Sequence, residues 1–497
     1  MRILFTASEA YPLIKTGGLG DVAGALPPAL ARQGMDVRLL LPGYPAALAA
    51  AETPDNARAM RLGDLMGTGE ATLVERRMPD TGLPVWLVDC PPLYDREGGP
   101  YIAPDGWDHH DNFQRFALLS RVAALIGQTG AFDGWLPDVV HANDWQTGLL
   151  PVMLFEQYQF GGMETQRVCH TIHNFSHQGL TGEEVLWATG LGNPAYYLDR
   201  AKLGDDVLPG AVNPLKGAIV YSNYVGTVSP THAWEARHTD QGEGLQQILN
   251  EHHEKFGGIL NGLDYDTWNP EWDPHIAEPY SAERIDSKFA NKAALRDRLM
   301  LNDDYAPIIA YVGRLDRQKG VHLIQHAIHY SLAEGAQFVL LGAAPDPDTH
   351  GEFERIKAEQ NDNPECHLEL GFSEELAHLI YAGADMVVVP SMFEPCGLAQ
   401  LIGMRYGTVP VVRAVGGLND TVFDHDFSPR PPEERTGFVF EGGDPMGLET
   451  ALHRAIRVWY DHPEGFRALM VNDMRQDYSW NHPGQHYMNV YEFIRHK

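Results

Sequence analysis

Cysteine is scarce: Cys90, Cys169, Cys366 and Cys396 are the only four in 497 residues, and no two have a paired spacing. That excludes a disulfide framework and points to a reducing compartment. Long apolar runs are missing as well, and no window approaches the roughly 20 residues of a membrane-spanning helix. Met1 leads straight into a strand-like run with one Arg and no apolar leader, so no secretory signal is expected. Positive charge is in short supply, 37 Lys and Arg against 67 Asp and Glu, for a formal net charge of −30. So acidic a surface argues against nucleic acid or an anionic membrane as partner. It also means that an anionic substrate has to be met by a local basic pocket set against the overall field. No short-period repeat or low-complexity tract is present. The expectation is a soluble, cytoplasmic protein.

What is present is a chain too long for one ordinary core, with roughly two to four domains as the prior, and an alternation of apolar strands with amphipathic helices. Strands are read at Ile3–Ala7, Asp36–Leu41, Val85–Val88, Val139–Val140, Val168–Ile172 and Tyr224–Val228, with helices over Val22–Gln33, Phe113–Ile126 and Trp145–Phe155. The segment 257–270, rich in Gly, Asn, Asp and Pro, reads as a connector. After a helical stretch, Ala282–Leu301, the alternation restarts. Its strands are Ile308–Val312, Phe338–Leu341, Met386–Val389 and Val409–Val412, and its helices Val321–Leu332, Glu374–Ala382 and Leu398–Arg405. Continuous apolar strands alternating with helices predict parallel sheets covered on both faces. The fold class is therefore α/β, with two doubly wound Rossmann-like domains joined near residue 260. In such sheets ligands bind beyond the carboxyl ends of the strands. That rule selects one rim in the first half, made of Lys15–Asp21, His141–Asp144 and His173-Asn174.

Lys15-Thr16-Gly17-Gly18-Leu19-Gly20-Asp21 joins the first strand to its helix. Amide N–H groups at a helix start carry partial positive charge. Gly17 and Gly18 let a bulky ligand approach the backbone, and Lys15 adds a full charge. The spacing is neither the dinucleotide fingerprint nor a Walker loop, and a plain strand-to-helix loop accounts for the glycines equally well. The second half has its own basic turn, Arg314-Leu-Asp-Arg-Gln-Lys319-Gly320, directly after a strand. A planar guanidinium and a compact ammonium suit phosphate oxygens, although a solvated basic loop would look alike. Gly416-Gly417 opens another helix, as an outer-phosphate contact or a bland turn. Glu394-Pro395-Cys396-Gly397-Leu398 follows the strand Met386–Val389; its carboxylate suits sugar hydroxyls or a positive anomeric carbon.

Two stretches have metal-like spacing. His170, His173 and His177 have ligand-like spacing but run from strand into loop. Asp346-Pro-Asp348 resembles a Mg²⁺-holding pair, yet Asp264/Asp266 and Asp424/Asp426 match equally in so acidic a chain. No metal and no cofactor is expected. Trp107, Trp145, Trp187, Trp234 and Trp268 read mostly as core rather than as sugar platforms.

Taken in order, Lys15-Thr-Gly-Gly-Leu, His173-Asn174, Asn261-Gly-Leu-Asp, Arg314-Leu-…-Gln-Lys-Gly and Glu394-Pro-Cys-Gly-Leu resemble bacterial glycogen synthase over nearly the whole chain. The resemblance implies a two-domain GT-B architecture. It also implies metal-independent transfer of glucose, with retention, from ADP-glucose to the non-reducing end of an α-1,4-glucan such as glycogen. On that basis the expected domains are 1–258 on the acceptor side and 259–477 for the nucleotide sugar, with a last helix, 478–497, crossing back. Lys15, Gly17, Gly18, Arg314 and Lys319 would hold the diphosphate, with Asp21 on the same turn and Gly416-Gly417 beside the outer phosphate. Asp144, His173, Asn174 and Glu394 would surround the transferred glucose, with Cys396, Gly397 and Leu398 on the same wall. Asn261 would lie in the cleft, and Tyr101 is an acceptor-side candidate. Catalysis would fall to Glu394, Arg314, Lys319, His173 and Lys15. Val415 and Ala399 stand where Thr is common, and Ile402 where related retaining transferases place a second Glu, so a ribose-binding carboxylate is missing. A fold-sharing glucan-binding protein without the reaction should have lost Lys15, Arg314, Lys319 or Glu394, and all four are present. Another retaining transferase, one using UDP-glucose or making sucrose, is the remaining alternative.

Overall fold

In the computed structural model, which describes residues 1–161 and 166–496, the chain divides into two units. Met1–Gly262 together with Trp480–Lys497 form the first, and Leu263–Ser479 the second. The first is built on a nine-stranded sheet of order β3-β4-β5-β2-β1-β6-β7-β8-β9. These strands are β1 Arg2–Thr6, β2 Asp36–Pro42, β3 Ala59–Gly63, β4 Ala71–Arg77, β5 Pro84–Asp89, β6 Val139–Asn143, β7 Arg167–Ile172, β8 Tyr224–Thr227 and β9 Phe256–Gly258. β1 is central: Leu4 lies opposite Arg38 on one side and Val140 on the other, both parallel. Ile3, Leu4 and Phe5 are fully buried, as a strand covered on both faces requires. β3 and β4 add an antiparallel edge that the sequence did not signal. They are half-exposed and carry three Arg, a Thr and a Glu, so they lack the continuous apolar run of the inner strands.

The second unit has a six-stranded, wholly parallel sheet of order β12-β11-β10-β13-β14-β15. Its strands are β10 Ile308–Val312, β11 Gln337–Gly342, β12 Cys366–Leu370, β13 Met386–Val389, β14 Val409–Arg413 and β15 Phe438–Phe440. Among the parallel strands of each sheet the order reverses at one place, between β1 and β6 and between β10 and β13, and crevices at such switch points are where α/β sheets bind ligands.

Several elements differ from their sequence reading. The first helix begins at Gly18, not Val22, with Gly17 as its N-cap, so Gly18, Gly20 and Asp21 form its first turn. Trp145–Phe155 is not one helix: a 3₁₀ turn, Trp145–Thr147, precedes a helix starting at Leu150. Ala282–Leu301 is likewise broken, because Arg284 is non-helical and the α-helix spans Lys288–Leu299. The connector 257–270 starts inside β9. Trp107, Trp187 and Trp234 are 77%, 61% and 58% exposed, against the expectation that the tryptophans are mostly core. All four cysteines are buried and none is in a disulfide. No helix among the described residues is long and apolar enough to cross a membrane.

The last helix, Asn481–Arg495, packs on the helix Gly18–Arg32 and on β7. Its buried face carries Tyr487, Tyr491 and Ile494 into the first unit's core. The Tyr491 hydroxyl meets His141 Nδ1 at 2.6 Å, and His141 Nε2 meets Thr171 Oγ1 at 2.8 Å, beneath the ends of β6 and β7.

Candidate functional site

In the first unit, side chains gather beyond β1, β6 and β7. The backbone leaving β1 carries Ser8 and Glu9, then runs to Lys15. Lys15 Nζ donates to Asp21 Oδ1 at 2.7 Å, and both side chains are partly exposed. The buried Glu9 carboxylate accepts the Thr16 N–H through Oε2, and the Gly17 N–H at 3.3 Å through the same oxygen. Two amides that the sequence offered to a ligand are therefore already engaged by a carboxylate. Gly18 differs, since a Cβ placed there would meet no protein atom within 4 Å. Tyr101, on the chain between β5 and the helix Asn112–Thr129, donates to Glu9 Oε1 at 3.2 Å and shares a 2.7 Å hydrogen bond with Ser8 Oγ.

β6 and β7 are stitched together at their ends. Asn143 Nδ2 donates to Thr6 O at 3.0 Å, tying β6 to β1, and its Oδ1 meets His173 Nε2 at 3.0 Å. Asp144 has φ 54°, a left-handed conformation unusual for a non-glycine residue. That turn aims its carboxylate at the chain leaving β7, where Oδ1 accepts the His173 N–H at 2.6 Å. Burial pushes the Asp144 carboxyl up to about 7 despite backbone N–H groups of His173 and Asn174 that favour its ionised form. Burial also drives His173 and His170 down to about 3, so both imidazoles are neutral. His173 is thus a neutral hydrogen-bonding group, not a general base waiting to titrate near pH 7. The Asn174 side chain caps its own turn, accepting from Ser176 N at 2.9 Å. Glu9 is raised, first by burial. Asn261 Oδ1 is buried with no hydrogen-bond partner among the described residues. Beside this rim opens a cavity of about 610 Å³, whose lining includes Asn112, Trp145, His177, Gln178, Leu180 and Leu208.

In the second unit the turn after β10 and the turn after β13 meet. Asp316 caps the 3₁₀ turn Arg317–Lys319 by accepting from Lys319 N at 3.1 Å, and Arg314 pairs with the same carboxylate at 3.1 Å. Lys319 Nζ reaches Glu394 Oε2 at 2.5 Å, and Ser391 Oγ donates to that oxygen at 2.8 Å. Glu394 is only 6% exposed. The turn after β14 then closes on this segment. Gly417 N donates to Glu394 O at 3.1 Å, and a Cβ on Gly416 or Gly417 would lie 2.0 Å from Glu394 O or 2.2 Å from Cys396 O. Gly416 also has φ 44°. These two glycines are required by close backbone packing, whatever else they do. Gly397 has φ 80°, and Gln400 Nε2 fixes the carbonyls of Cys396 and Gly397 at 3.0 and 2.9 Å. Leu398 is the N-cap of the helix Ala399–Arg405, where Ile402 is core.

The acidic pairs have structural duties. Asp346 caps the helix Pro347–Glu359, Asp264 accepts from Asp266 N and Thr267, and Asp424 and Asp426 both pair with Arg454. No cluster of metal-ligating side chains occurs among the described residues. Glu9, Ser8 and Ser391 lie outside the stretches that the sequence selects, whereas Asn143 falls inside the His141–Asp144 rim. Glu9 had a usable signal, a carboxylate three residues beyond a fully buried strand. Ser391 had none, because only the fold brings it under Glu394.

Comparison with known proteins agrees with this fold. Residues 2–251 match the family model described as starch synthase catalytic domain, and residues 306–457 that of glycosyl transferases group 1. The chain is 48% identical over 505 residues to glycogen synthase 2 of Methylococcus capsulatus, covering 98% of this chain and 99% of that one. It is 50% identical over 510 residues to probable glycogen synthase 2 of a Nostoc species, each chain covered in full. Among solved structures, the catalytic domain of starch synthase IV from Arabidopsis thaliana, bound to ADP and acarbose, superimposes with a TM-score of 0.89 at 36% identity, covering 100% of this chain and 99% of that one. Sucrose-phosphate synthase from Thermosynechococcus elongatus shares the fold, with a TM-score of 0.55 at 19% identity and coverage of 99% and 98%.

Proposed function

Because the chain belongs to the glycogen synthase family and is a glucosyltransferase of glycogen synthesis, we propose that its donor is ADP-glucose, its acceptor the non-reducing end of an α-1,4-glucan, and its stereochemical course retention. The observation that carries this reading is the Lys319–Glu394 contact at the switch point of the second sheet, supported from below by Ser391. Breaking the anomeric C–O bond leaves a nucleoside diphosphate with added negative charge and a sugar with oxocarbenium character. Lys319 and Arg314 serve the leaving diphosphate, and Glu394 offsets the positive sugar, so both interactions strengthen toward the transition state. The ADP held by the Arabidopsis relative supports an adenine nucleotide in this role.

In the first unit Asp144, His173 and Asn174 hold hydroxyls of the transferred glucose. A carboxyl pushed up to about 7 is protonated for about half the time near neutrality, so it donates to a sugar oxygen as readily as it accepts. That makes Asp144 a poor nucleophile, and Glu394, hydrogen-bonded to Lys319 and Ser391, is a restrained one. Front-face attack, with the departing phosphate taking the acceptor's proton, is favoured over double displacement. The acceptor lodges in the cavity beside Tyr101, and Lys15, Gly17, Gly18 and Asn261 complete the donor's surroundings. Four buried thiols and no disulfide fit a cytoplasmic location.

Donor competition tests the reading. With ADP-glucose and UDP-glucose at equal concentration and a maltooligosaccharide acceptor, ADP release should dominate, and equal use of both would refute the assignment of the base. Mass spectrometry of a quenched reaction should show no glucosyl adduct on Glu394 or Asp144; finding one establishes double displacement.

A further inference from the structure

Glu9 takes no part in the reaction as described, yet it is the point at which two parts of the first unit's rim meet. Its side chain is buried, with the residue only 3% exposed. Oε2 takes the N–H groups of Thr16 and Gly17, which fixes the chain just before the first helix. Oε1 takes the hydroxyl of Tyr101, about ninety residues away in sequence, and Ser8 Oγ fixes the other side of that hydroxyl. A Cβ on Gly20 would stand 3.0 Å from Lys15 Cγ and 3.4 Å from Glu9 Oε2, so the Lys15 stem, the carboxylate and the helix start are packed together. Any shift of the carboxylate therefore moves both the Lys15–Gly18 turn and the Tyr101 ring.

We propose that Glu9 is a positioning residue that locks the glycine turn serving the donor to the tyrosine serving the acceptor, so that the two substrates are bound in fixed register. The proposal rests on the assignment of Lys15–Gly18 and Tyr101 to the two substrates. Glu9 touches neither substrate and transfers no proton. It works as a three-way acceptor whose geometry, rather than charge, is required. Glutamine can reproduce that geometry. Its carbonyl accepts from the two amides and its NH₂ donates to the Tyr101 oxygen, while the phenol proton turns to Ser8. Alanine cannot.

The test uses the full chain and has two arms. Hydrogen exchange without substrates should show the amides of Thr16 and Gly17 at least tenfold less protected in Glu9→Ala and near wild-type in Glu9→Gln. This arm does not depend on activity, so it still decides the role of Glu9 if ADP-glucose proves not to be the donor. In steady-state kinetics, Glu9→Ala should raise KM for ADP-glucose and for maltooligosaccharide together, about tenfold each, and Glu9→Gln should recover both to within threefold. Ser8→Ala leaves the carboxylate in place. It should raise only the acceptor KM, severalfold, and it keeps the test decisive if Glu9→Ala does not fold. Unchanged amide protection in Glu9→Ala overturns the proposal. So does a Glu9→Gln enzyme with turnover as low as Glu9→Ala and both KM values unchanged, because Glu9 would then act by charge or proton transfer.

Discussion

The two basic turns look alike in sequence and are built on opposite principles. In the first unit Lys15 pairs with Asp21 at 2.7 Å, with 44% and 31% of the two side chains exposed. In the second, Lys319 pairs with Glu394 at 2.5 Å, with 20% and 7% exposed. An exposed pair contributes about 0–1 kcal/mol and exchanges freely with solvent or ligand. Breaking a largely buried one leaves a charge without a partner and costs several kcal/mol. The second turn therefore holds its cation in a preorganised pair, whereas in the first only the Lys15 ammonium is loosely held, on a backbone that Glu9 fixes. The glycines repeat the contrast: Gly18 faces open space, but Gly416 and Gly417 are pressed against backbone.

The largest effect is expected where charge is held in place. Lys319→Ala should lower turnover a hundred- to thousandfold, about 3–4 kcal/mol of barrier. It should also lower stability by about 1–3 kcal/mol, because among the described residues the Glu394 carboxylate keeps only the Ser391 hydroxyl. Arg314→Ala should lose a similar share of turnover with an unchanged melting temperature, since Arg314 is 64% exposed and its pair with Asp316 is a surface one. Steady-state kinetics beside calorimetry on both variants checks this. Equal destabilisation by both would erase the distinction between the two kinds of cation.

Next comes a pH effect confined to the first unit. The Asp144 carboxyl, ordinarily near 3.8, is pushed up to about 7 by burial, so the folded chain binds a proton there more tightly than the unfolded chain does. Its contribution to stability is present below pH about 4 and is lost as pH rises through about 7. Neutral, half-buried His173 works the other way: its contribution is present above pH about 6.5 and is lost as pH falls toward about 3. The His173 effect cancels when Asp144→Asn is compared with wild type at each pH. Relative to wild type, that variant should gain about 2–4 kcal/mol between pH 4 and pH 8. Urea unfolding at the two values measures it, and a pH-independent difference would show that Asp144 ionises like a surface carboxylate.

How much of this was legible in sequence follows from the same contrast. β10 and β13 match their sequence-read bounds, Ile308–Val312 and Met386–Val389, because fully buried parallel strands are written as unbroken apolar runs. β3 and β4 were invisible because a half-exposed edge mixes Arg, Thr and Glu with its apolar residues. The first helix was placed four residues late because Gly18 and Gly20 are weak helix formers, while tertiary packing against the Tyr11 and Lys15 loop decides the matter. Residues that carry charge on turns, Lys15, Arg314, Lys319 and Glu394, could be selected by type and place. Of those that hold them, Glu9 had only its place just beyond β1 as a signal and Asn143 only its place on the selected rim, and Ser391 had none, because its partner is fixed by which strands lie side by side.

A glycine pair gives the next, smaller effect. Gly417→Ala sets a methyl group against the Cys396 carbonyl, and overpacking against backbone costs about 1–3 kcal/mol. Gly18→Ala adds a methyl to the first turn of a helix where nothing stands in its way, so stability should hold or rise by a few tenths of a kcal/mol. On the proposed assignment of this turn to the donor, its donor KM should nonetheless increase, because the methyl group would occupy space beside the ligand. Thermal melts with donor titrations separate the two. An unchanged donor KM in Gly18→Ala would leave that glycine without a function.

The smallest effect belongs to Lys15. An ammonium already paired with Asp21 in an exposed setting gains nearly as much from the bound donor as from the transition state, so it contributes uniform binding. Lys15→Ala should therefore raise KM for ADP-glucose by about tenfold, or 1.4 kcal/mol, with kcat within a factor of about three. Stability should change by less than about 1 kcal/mol. Since the contact is exposed, the penalty should shrink in high salt, where the Debye length falls to about 3 Å at 1 M. The loss in Lys319→Ala, inside a largely buried pair, should persist there. If Lys15→Ala instead lost turnover as deeply as Lys319→Ala, and kept that loss in salt, the first turn would have to tighten around the donor into a preorganised site of the second kind.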